Sequence, residues 1–349
     1  MRKVECLITG ATGWLGQGLV KALLKGLEDS PTDIWRLDGK RIRGLALNAS
    51  EGRTFEFRDS IQMMYGDIRQ ATTLTDFCNG AKDAVLIHTA GVIHPRRVSD
   101  FYSINVDAST ALLEEAARQG IQRAVFVSSN SPCGVNQDRN KLFDEKSPYR
   151  PYMNYGRSKM MMEQTTRELA DRLGISLVHI RAPWFYGPAQ PARQDEFFRM
   201  IRDGRGPIIG DGLNLRSMVY IDNLARGILL AAVAKSPQPV YWIADNSPYT
   251  MQQILFTVES LLDSEFGQTC NFARLRLPSL LSELALVADW LIQSTGFYHQ
   301  KIHVLSELNK SIACSTELAQ RDLGYLPQVG LEEGMRRSLR WIFNNRGRL

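Results

Sequence analysis

The first 188 residues predict a doubly wound α/β fold, a parallel sheet covered by helices on both faces. Three observations carry this: short apolar runs alternate with helical patterns, the runs are apolar at consecutive positions as strands buried on both faces require, and a glycine-rich turn joins the first run to the first helix. In order, Val4–Thr9 reads as a strand and Trp14–Leu27 as a helix. Gln62–Tyr65 and Ala84–His88 read as strands, and Phe101–Arg118 as a helix stopping at Gly120. Ala124–Ser128 is a strand, Asn154–Leu173 a helix ending at Gly174, and Leu177–Ile180 a strand. After Pro188 helical and strand-like pieces mix: Phe197–Arg202, Val219–Ile221, Leu224–Ala234, Tyr241–Ala244, Met251–Leu262, Leu280–Ile292 and Met335–Phe343. This divides the chain into a domain over 1–188 and a smaller mixed α/β lobe over 189–349. Some lobe segments return to the first domain, and a ligand cleft lies between the two.

With 349 residues and roughly 150 per domain, about two domains are expected. A hydrophobic content of 44% excludes a disordered chain, and the 27 glycines and 14 prolines show no period. The most apolar stretches, Gly227–Ala234 and Leu280–Ile292, are too short or too interrupted by Glu283 and Asp289 to span a bilayer. The second is expected to be a core helix, with a greasy pocket or a membrane surface as its alternatives. A net charge of +5 is spread along the chain and forms no basic block, so it is weak evidence for nucleic acid and suits an anionic small ligand equally well; no nucleic-acid partner is expected. Five scattered cysteines with no CxxC pair suggest neither disulfides nor zinc. No signal-peptide pattern precedes Val4, and a cytoplasmic protein is expected. His299 and His303 are four residues apart without a third ligand nearby, so no metal site is expected.

The chemistry begins at Thr9-Gly10-Ala11-Thr12-Gly13-Trp14-Leu15-Gly16. Glycines spaced three apart between a buried strand and a helix permit a tight turn, backbone approach to a pyrophosphate and close helix–sheet packing. The free N–H groups of the helix start would meet the phosphates. Gly66-Asp67-Ile68 would set a carboxylate against an adenine edge, or Asp67 would cap the next turn. The second strand is either Ile34–Leu37, which puts Asp38 at its end, or Arg41–Leu47, which puts Ala46 there. An acid at that position favours NAD, so the choice between NAD and NADP stays open.

Tyr155-Gly156-Arg157-Ser158-Lys159 places a phenol and an ammonium four apart on one helix face. A phenol ordinarily titrates near pH 10. A nearby lysine, together with an oxidised nicotinamide, would lower that value and make the group a useful acid or base. Ser128-Ser129-Asn130-Ser131 leaves a strand end and offers hydroxyl donors to the same cleft. Met160-Met161-Met162 behind the lysine reads as core or pocket lining.

These features together resemble the extended short-chain dehydrogenase/reductase superfamily, which includes NAD-dependent nucleotide-sugar epimerases and dehydratases and 3β-hydroxysteroid dehydrogenases. The marks are Gly10-xx-Gly13-xx-Gly16, Gly66-Asp67, His88-Thr89-Ala90-Gly91, Asn105-Val106, Val127-Ser128-Ser129 and Tyr155-xxx-Lys159. Arg181-Ala182-Pro183-xx-Tyr186-Gly187-Pro188 and Leu323-Gly324-Tyr325-Leu326-Pro327 extend the pattern over nearly the whole chain. The resemblance implies a Rossmann domain that binds NAD or NADP through Gly10, Thr12, Gly13, Trp14, Leu15, Gly16, Asp67, Ile68, Thr89, Ala90, Gly91, Tyr155, Lys159 and Pro183. It makes Ser129 the hydroxyl donor, Tyr155 the acid/base, Lys159 its ribose-binding partner and Asn105 a supporting residue. It allows a homodimer.

Dehydratases of this superfamily carry an Asp-Glu pair after the hydroxyl donor, and this chain has Asn130 and Ser131 there. Ketone/alcohol redox, or epimerisation through a ketone, remains. Gly210-Asp211-Gly212-xxx-Arg216 resembles the nucleotide-sugar pattern, in which an arginine grips a diphosphate. Asp222, just beyond it, is expected to cap the following helix. The expected substrate-side residues are Ser129, Asn130, Ser131, Tyr186 and Arg216, and a nucleotide-linked sugar is the leading substrate. Tyr241–Pro248, Leu280–Ile292 and Lys301–Thr316 instead resemble the steroid-dehydrogenase branch, which sets a 3β-hydroxysteroid or β-hydroxyacid dehydrogenase as the alternative. A non-catalytic cofactor sensor is the third reading.

Overall fold

The computed structural model describes residues 3–30, 34–272 and 275–349. Seven strands form one sheet: β1 (Cys6–Thr9), β2 (Ile42–Ala46), β3 (Gln62–Tyr65), β4 (Val85–His88), β5 (Arg123–Ser129), β6 (Ser176–Ala182) and β7 (Val240–Trp242). Their order is β7-β6-β5-β4-β1-β2-β3, and every neighbouring pair is parallel. The chain winds outward in one direction from β1 through β3 and in the other from β4 onward. The switch between β1 and β4 opens the crevice where doubly wound sheets bind ligands.

Helices α1 (Trp14–Lys25), α2 (Ser109–Arg118), α3 (Met153–Leu173) and α4 (Ile221–Val233) cover the sheet. Leu15, Leu19 and Leu23 of α1 join Leu224 and Ile228 of α4 in one core layer. Leu112 and Leu113 of α2 join Met162 and Leu169 of α3 in the other. With both faces covered, the central strands are apolar through consecutive middle positions, such as Cys6–Ile8, Val85–Ile87 and Ala124–Val127, which is why they were readable.

The structure settles one open choice of the sequence reading in favour of Arg41–Leu47, brings lobe segments back to the sheet as expected, and departs from that reading at two helix starts. The second strand is Ile42–Ala46, so Asp38 lies before it and accepts a hydrogen bond from Lys40 N in a 3-10 turn. The helix expected from Phe101 begins at Val98 and passes through a π-helical stretch, Ser103–Ala108, before α2. Helix α4 is capped by Tyr220, leaving Asp222 in its first turn. Both α4 and β7 follow residue 188 in sequence but pack on or within the main sheet.

The remaining helices are α5 (Met251–Ser264), α6 (Ser279–Ser294), α7 (Gln300–Glu307) and α8 (Leu331–Arg346). Short strand pairs tie this region together: Trp184–Tyr186 with Met218–Tyr220, Leu215–Arg216 with Tyr249–Thr250, and Ile208–Ile209 with Arg276–Leu277. Helix α6 overturns the core-helix expectation. Its buried positions are Ser282, Ala285, Asp289 and Gln293, while Leu280, Leu284, Val287, Trp290 and Leu291 face outward. Polar partners pull that face inward: Ser282 Oγ donates to Leu305 O (2.8 Å), and Asp289 Oδ2 lies 2.7 Å from His303 Nδ1. Among the described residues no helix is long and apolar enough to cross a membrane.

Candidate active site

The turn after β1 is built around close backbone approaches. Gly10 has φ +69°, and a side chain there would meet Thr89 Oγ1 and Ala90 N at 2.9 and 3.0 Å. A Cβ on Gly16 would sit 2.0 Å from Gly10 O, so only glycine lets α1 start this close to the turn. Gly13 caps α1 without any side-chain hydrogen bond, and the first N–H groups of the helix stay available. Thr89 Oγ1 donates to Thr9 O (2.7 Å) and holds β4's exit against this loop, with Ala90 N pointing at Thr9 Oγ1 (3.3 Å). A cradle that a Cβ would fill, ending on an uncapped helix, fits the pyrophosphate of a dinucleotide.

Other expected cofactor residues act less directly. The Trp14 indole donates to Pro188 O (2.7 Å) and packs tilted against Phe185, and Leu15 is core, so these two can offer only backbone N–H groups to a phosphate. Thr12 Oγ1 donates to Glu51. Asp67 is a turn cap: its carboxylate accepts from Arg69 N and pairs with the Arg69 guanidinium, which holds it below the usual carboxylate range. Ile68 is buried in the second core layer, and Pro183 is buried between β6 and Trp184.

Ser129, Tyr155 and Lys159 converge. Ser129 ends β5, and its hydroxyl reaches the Tyr155 phenol. Ser129 Oγ also lies 3.2 Å from both Ser131 Oγ and Ser131 N. Lys159, one turn after Tyr155 on α3, donates to Val127 O (2.8 Å) and to Met162 Sδ (3.4 Å). The electrostatics differ from the expectation. Burial pushes Tyr155 up to about 12, with Ser129 opposing and Glu307 adding to the rise. Burial draws Lys159 down to about 8 against the pull of Glu163. Lysine therefore does not lower the phenol within the chain alone, because both groups are driven toward their neutral forms.

Asn105, in the π-helical stretch, accepts from Val92 N (2.9 Å) and donates to Val92 O (3.0 Å) and Ser158 Oγ (3.2 Å). It thereby clamps the loop that carries Gly91 to α3. Its side chain is fully spent on these bonds between loop and helix, and π-bulges recur at such places. Glu163 was missed by sequence reasoning. It is four residues beyond Lys159 on the same face, fully buried, and bound by Arg181 (2.7 Å), Ser128 and Tyr149. Burial disfavours its charge, but Arg181 wins and the carboxyl stays below its ordinary value. The helical spacing was the available signal.

On the substrate side, two expected residues are engaged elsewhere. Tyr186 is buried and donates to Asp245 (2.7 Å), so it presents no hydroxyl to a cleft. Arg216 donates to the carbonyl of Glu307 at the end of α7, which fixes the guanidinium under that helix. Asn130 and Ser131 stay beside Ser129, and Ser131 O accepts from Tyr152 N (3.1 Å) just before α3. The α6–α7 hairpin closes against this edge: Asn154 donates to Gln293 Oε1, Tyr152 Oη lies 2.7 Å from Ser306 Oγ, and Tyr298 Oη lies 2.9 Å from His94 Nδ1. His303 pairs with Asp289, and His299 caps α7.

Comparisons with known proteins agree with this architecture. An uncharacterized protein, y4nL, of Sinorhizobium fredii (strain NBRC 101917 / NGR234) is 45% identical over 341 residues, covering 97% of this chain and 95% of its own. Mouse 3 beta-hydroxysteroid dehydrogenase type 7 is 27% identical over 364 residues, with coverage of 96% and 95%. The structure of DesIV, a dTDP-glucose 4,6-dehydratase from Streptomyces venezuelae with NAD and TYD bound, superposes with a TM-score of 0.75 at 24% identity, covering 99% of this chain and 98% of that one. Residues 6–244, which hold the glycine turn, Ser129, Tyr155 and Lys159, match the NAD dependent epimerase/dehydratase family. The chain belongs to that family, and so to the enzymes of the extended short-chain dehydrogenase/reductase type.

Proposed function

We propose that the chain is an NAD(P)-dependent oxidoreductase or epimerase acting at a secondary alcohol or ketone of a nucleotide-linked sugar. The observation that carries the reading is Ser129 at the end of β5 next to Tyr155, with Lys159 one turn along α3 and bonded to β5, two strands from the glycine cradle that follows β1 in the same parallel sheet. Gly10, Gly13 and the start of α1 would hold the pyrophosphate. When bound, the nicotinamide supplies hydride acceptance and return. Tyr155 Oη gives or takes the proton on the substrate oxygen, and Ser129 Oγ donates a hydrogen bond to that oxygen as its charge changes. Lys159, anchored on Val127 O, supplies the ammonium for the nicotinamide ribose. The substrate class is supported by the DesIV structure, which holds NAD and TYD, while Arg216 would have to leave the Glu307 carbonyl to grip a diphosphate.

Tyr155→Phe should lower turnover about 10²- to 10⁴-fold while dinucleotide binding is kept. Unchanged turnover would remove the mechanism. A thermal-shift panel of NAD, NADP, UDP, GDP, dTDP and a steroid tests the substrate, because a ligand of the native state raises the midpoint by mass action. A 3β-hydroxysteroid or β-hydroxyacid dehydrogenase is the second reading, favoured by Arg216 being held by the Glu307 carbonyl and by the outward apolar face of α6. Arg216→Ala separates the two. It weakens a nucleotide-sugar several-fold or more and leaves a steroid or acyl substrate nearly untouched.

A further inference from the structure

We infer that helix α6 docks this protein on the surface of an anionic lipid bilayer, lying in the interface plane without crossing it. Leu280, Leu284, Val287 and Leu291 recur at intervals of four, three and four, which places them on one helix face, with Trp290 beside them. All five are more than half exposed, Leu280 at 67% and Trp290 at 60%. Phe297 (62%) in the turn and Val304 (41%) on α7 extend the patch. A contiguous apolar face of this kind marks an interaction site.

The stripe is a built feature of the fold. The opposite side of α6 is held inward by Ser282 on the carbonyls of Leu305 and Ser306, by Asp289 on His303, and by Gln293 on Asn154. These bonds fix the helix so that its leucines cannot turn into the core.

Charge chooses the occupant. The stripe carries no acid, and Glu283 on its flank is taken by Lys310. Arg276 just before α6, Lys301 at the start of α7, and Arg96 and Arg97 beside Phe297 are exposed, and none of them makes an ion pair among the described residues. An apolar face with Trp and Leu, rimmed by unpaired cations, suits anionic headgroups around a shallowly inserted helix. A two-fold contact with a second copy would bring the same unpaired cations together around one seam.

The test is flotation of the full chain with vesicles of phosphatidylcholine alone or with about 30% phosphatidylglycerol. The chain should rise with the anionic vesicles, on the order of tenfold more than with neutral ones. Leu284→Ser/Val287→Ser/Leu291→Ser alters only exposed positions and should keep its thermal midpoint while losing flotation on the order of tenfold or more. Arg97→Gln and Lys301→Gln should each lower partitioning about fivefold, an effect that added salt also produces. Absence of flotation with anionic vesicles, or flotation unchanged in the serine variant, overturns the inference. Sedimentation showing a dimer that the serine variant splits also overturns it, and assigns the stripe to a second copy.

Discussion

Replacing Glu163 with glutamine should both destabilise the fold and shift the pH at which the site works. The carboxylate is buried under α3 and receives Arg181, Ser128 and Tyr149, so its loss leaves the Arg181 cation buried without its counter-charge. Breaking a buried pair from one side costs about 3–5 kcal/mol. For 349 residues the unfolding entropy is roughly 0.7 kcal/mol/K, which makes the expected fall in Tm about 4–7 °C. Glu163 also supports the charge of Lys159, whose value burial has already drawn down to about 8. Without it, Lys159 titrates lower and the alkaline limb of kcat/KM moves to lower pH. Glu163→Leu combined with Arg181→Met removes both charges and should regain most of the Tm, but not the pH profile. Calorimetry and a pH–rate series on the three proteins decide the matter. A Tm drop below about 1 °C together with an unmoved alkaline limb would refute the reasoning.

Three further changes follow from the same structure. Asn105→Ala leaves both polar groups of Val92 unpaired and should cost about 2–4 kcal/mol by denaturant unfolding, with kcat/KM falling alongside. Asp245 is pushed by burial from 3.8 to about 6, so the fold favours its neutral form; that contribution is complete below pH 3.8 and lost as pH rises through 6. Asp245→Asn should therefore flatten the stability–pH curve between those values by about 3 kcal/mol, read from urea midpoints across the range. Gly16→Ala drives a methyl into Gly10 O and should cost about 1–3 kcal/mol by thermal unfolding. It should also weaken NAD(H) binding sharply in a fluorescence titration.

Legibility followed the range of the interactions involved. The central strands were readable because burial on both faces makes their middles consecutively apolar, as in Cys6–Ile8 and Ala124–Val127, and the edge strand β3 was located to the residue. The second strand was ambiguous because Ile34–Leu37 and Ile42–Ala46 are both short apolar segments interrupted by one arginine, Arg36 or Arg43, and pairing with β1 and β3 distinguishes the second. Glu163 lay within reach of helical spacing from Lys159. Tyr186 and Arg216 did not, since their partners Asp245 and the Glu307 carbonyl are 59 and 91 positions away. Helix α6 misled for the same reason. Its leucines read as core until the distant bonds of Asp289 to His303 and Gln293 to Asn154 turned them outward.

Burial acts on the phenol and the ammonium in opposite senses, and that determines what the chain's own residues favour. Tyr155 rises to about 12 and Lys159 falls to about 8, so at neutral pH the phenol keeps its proton while the lysine is largely still charged. In the reaction proposed above, a protonated phenol beside Ser129 would donate to a ketone oxygen. Removing a proton from an alcohol requires the phenolate, which the apolar surroundings and Glu307 both oppose. Glu163 maintains the lysine charge that would offset this, and Arg181 in turn stops Glu163 from taking up a proton. In that proposed reaction the balance between reduction and oxidation at Tyr155 would thus be linked, through Lys159, to the Glu163–Arg181 ion pair buried beneath the helix that carries both groups.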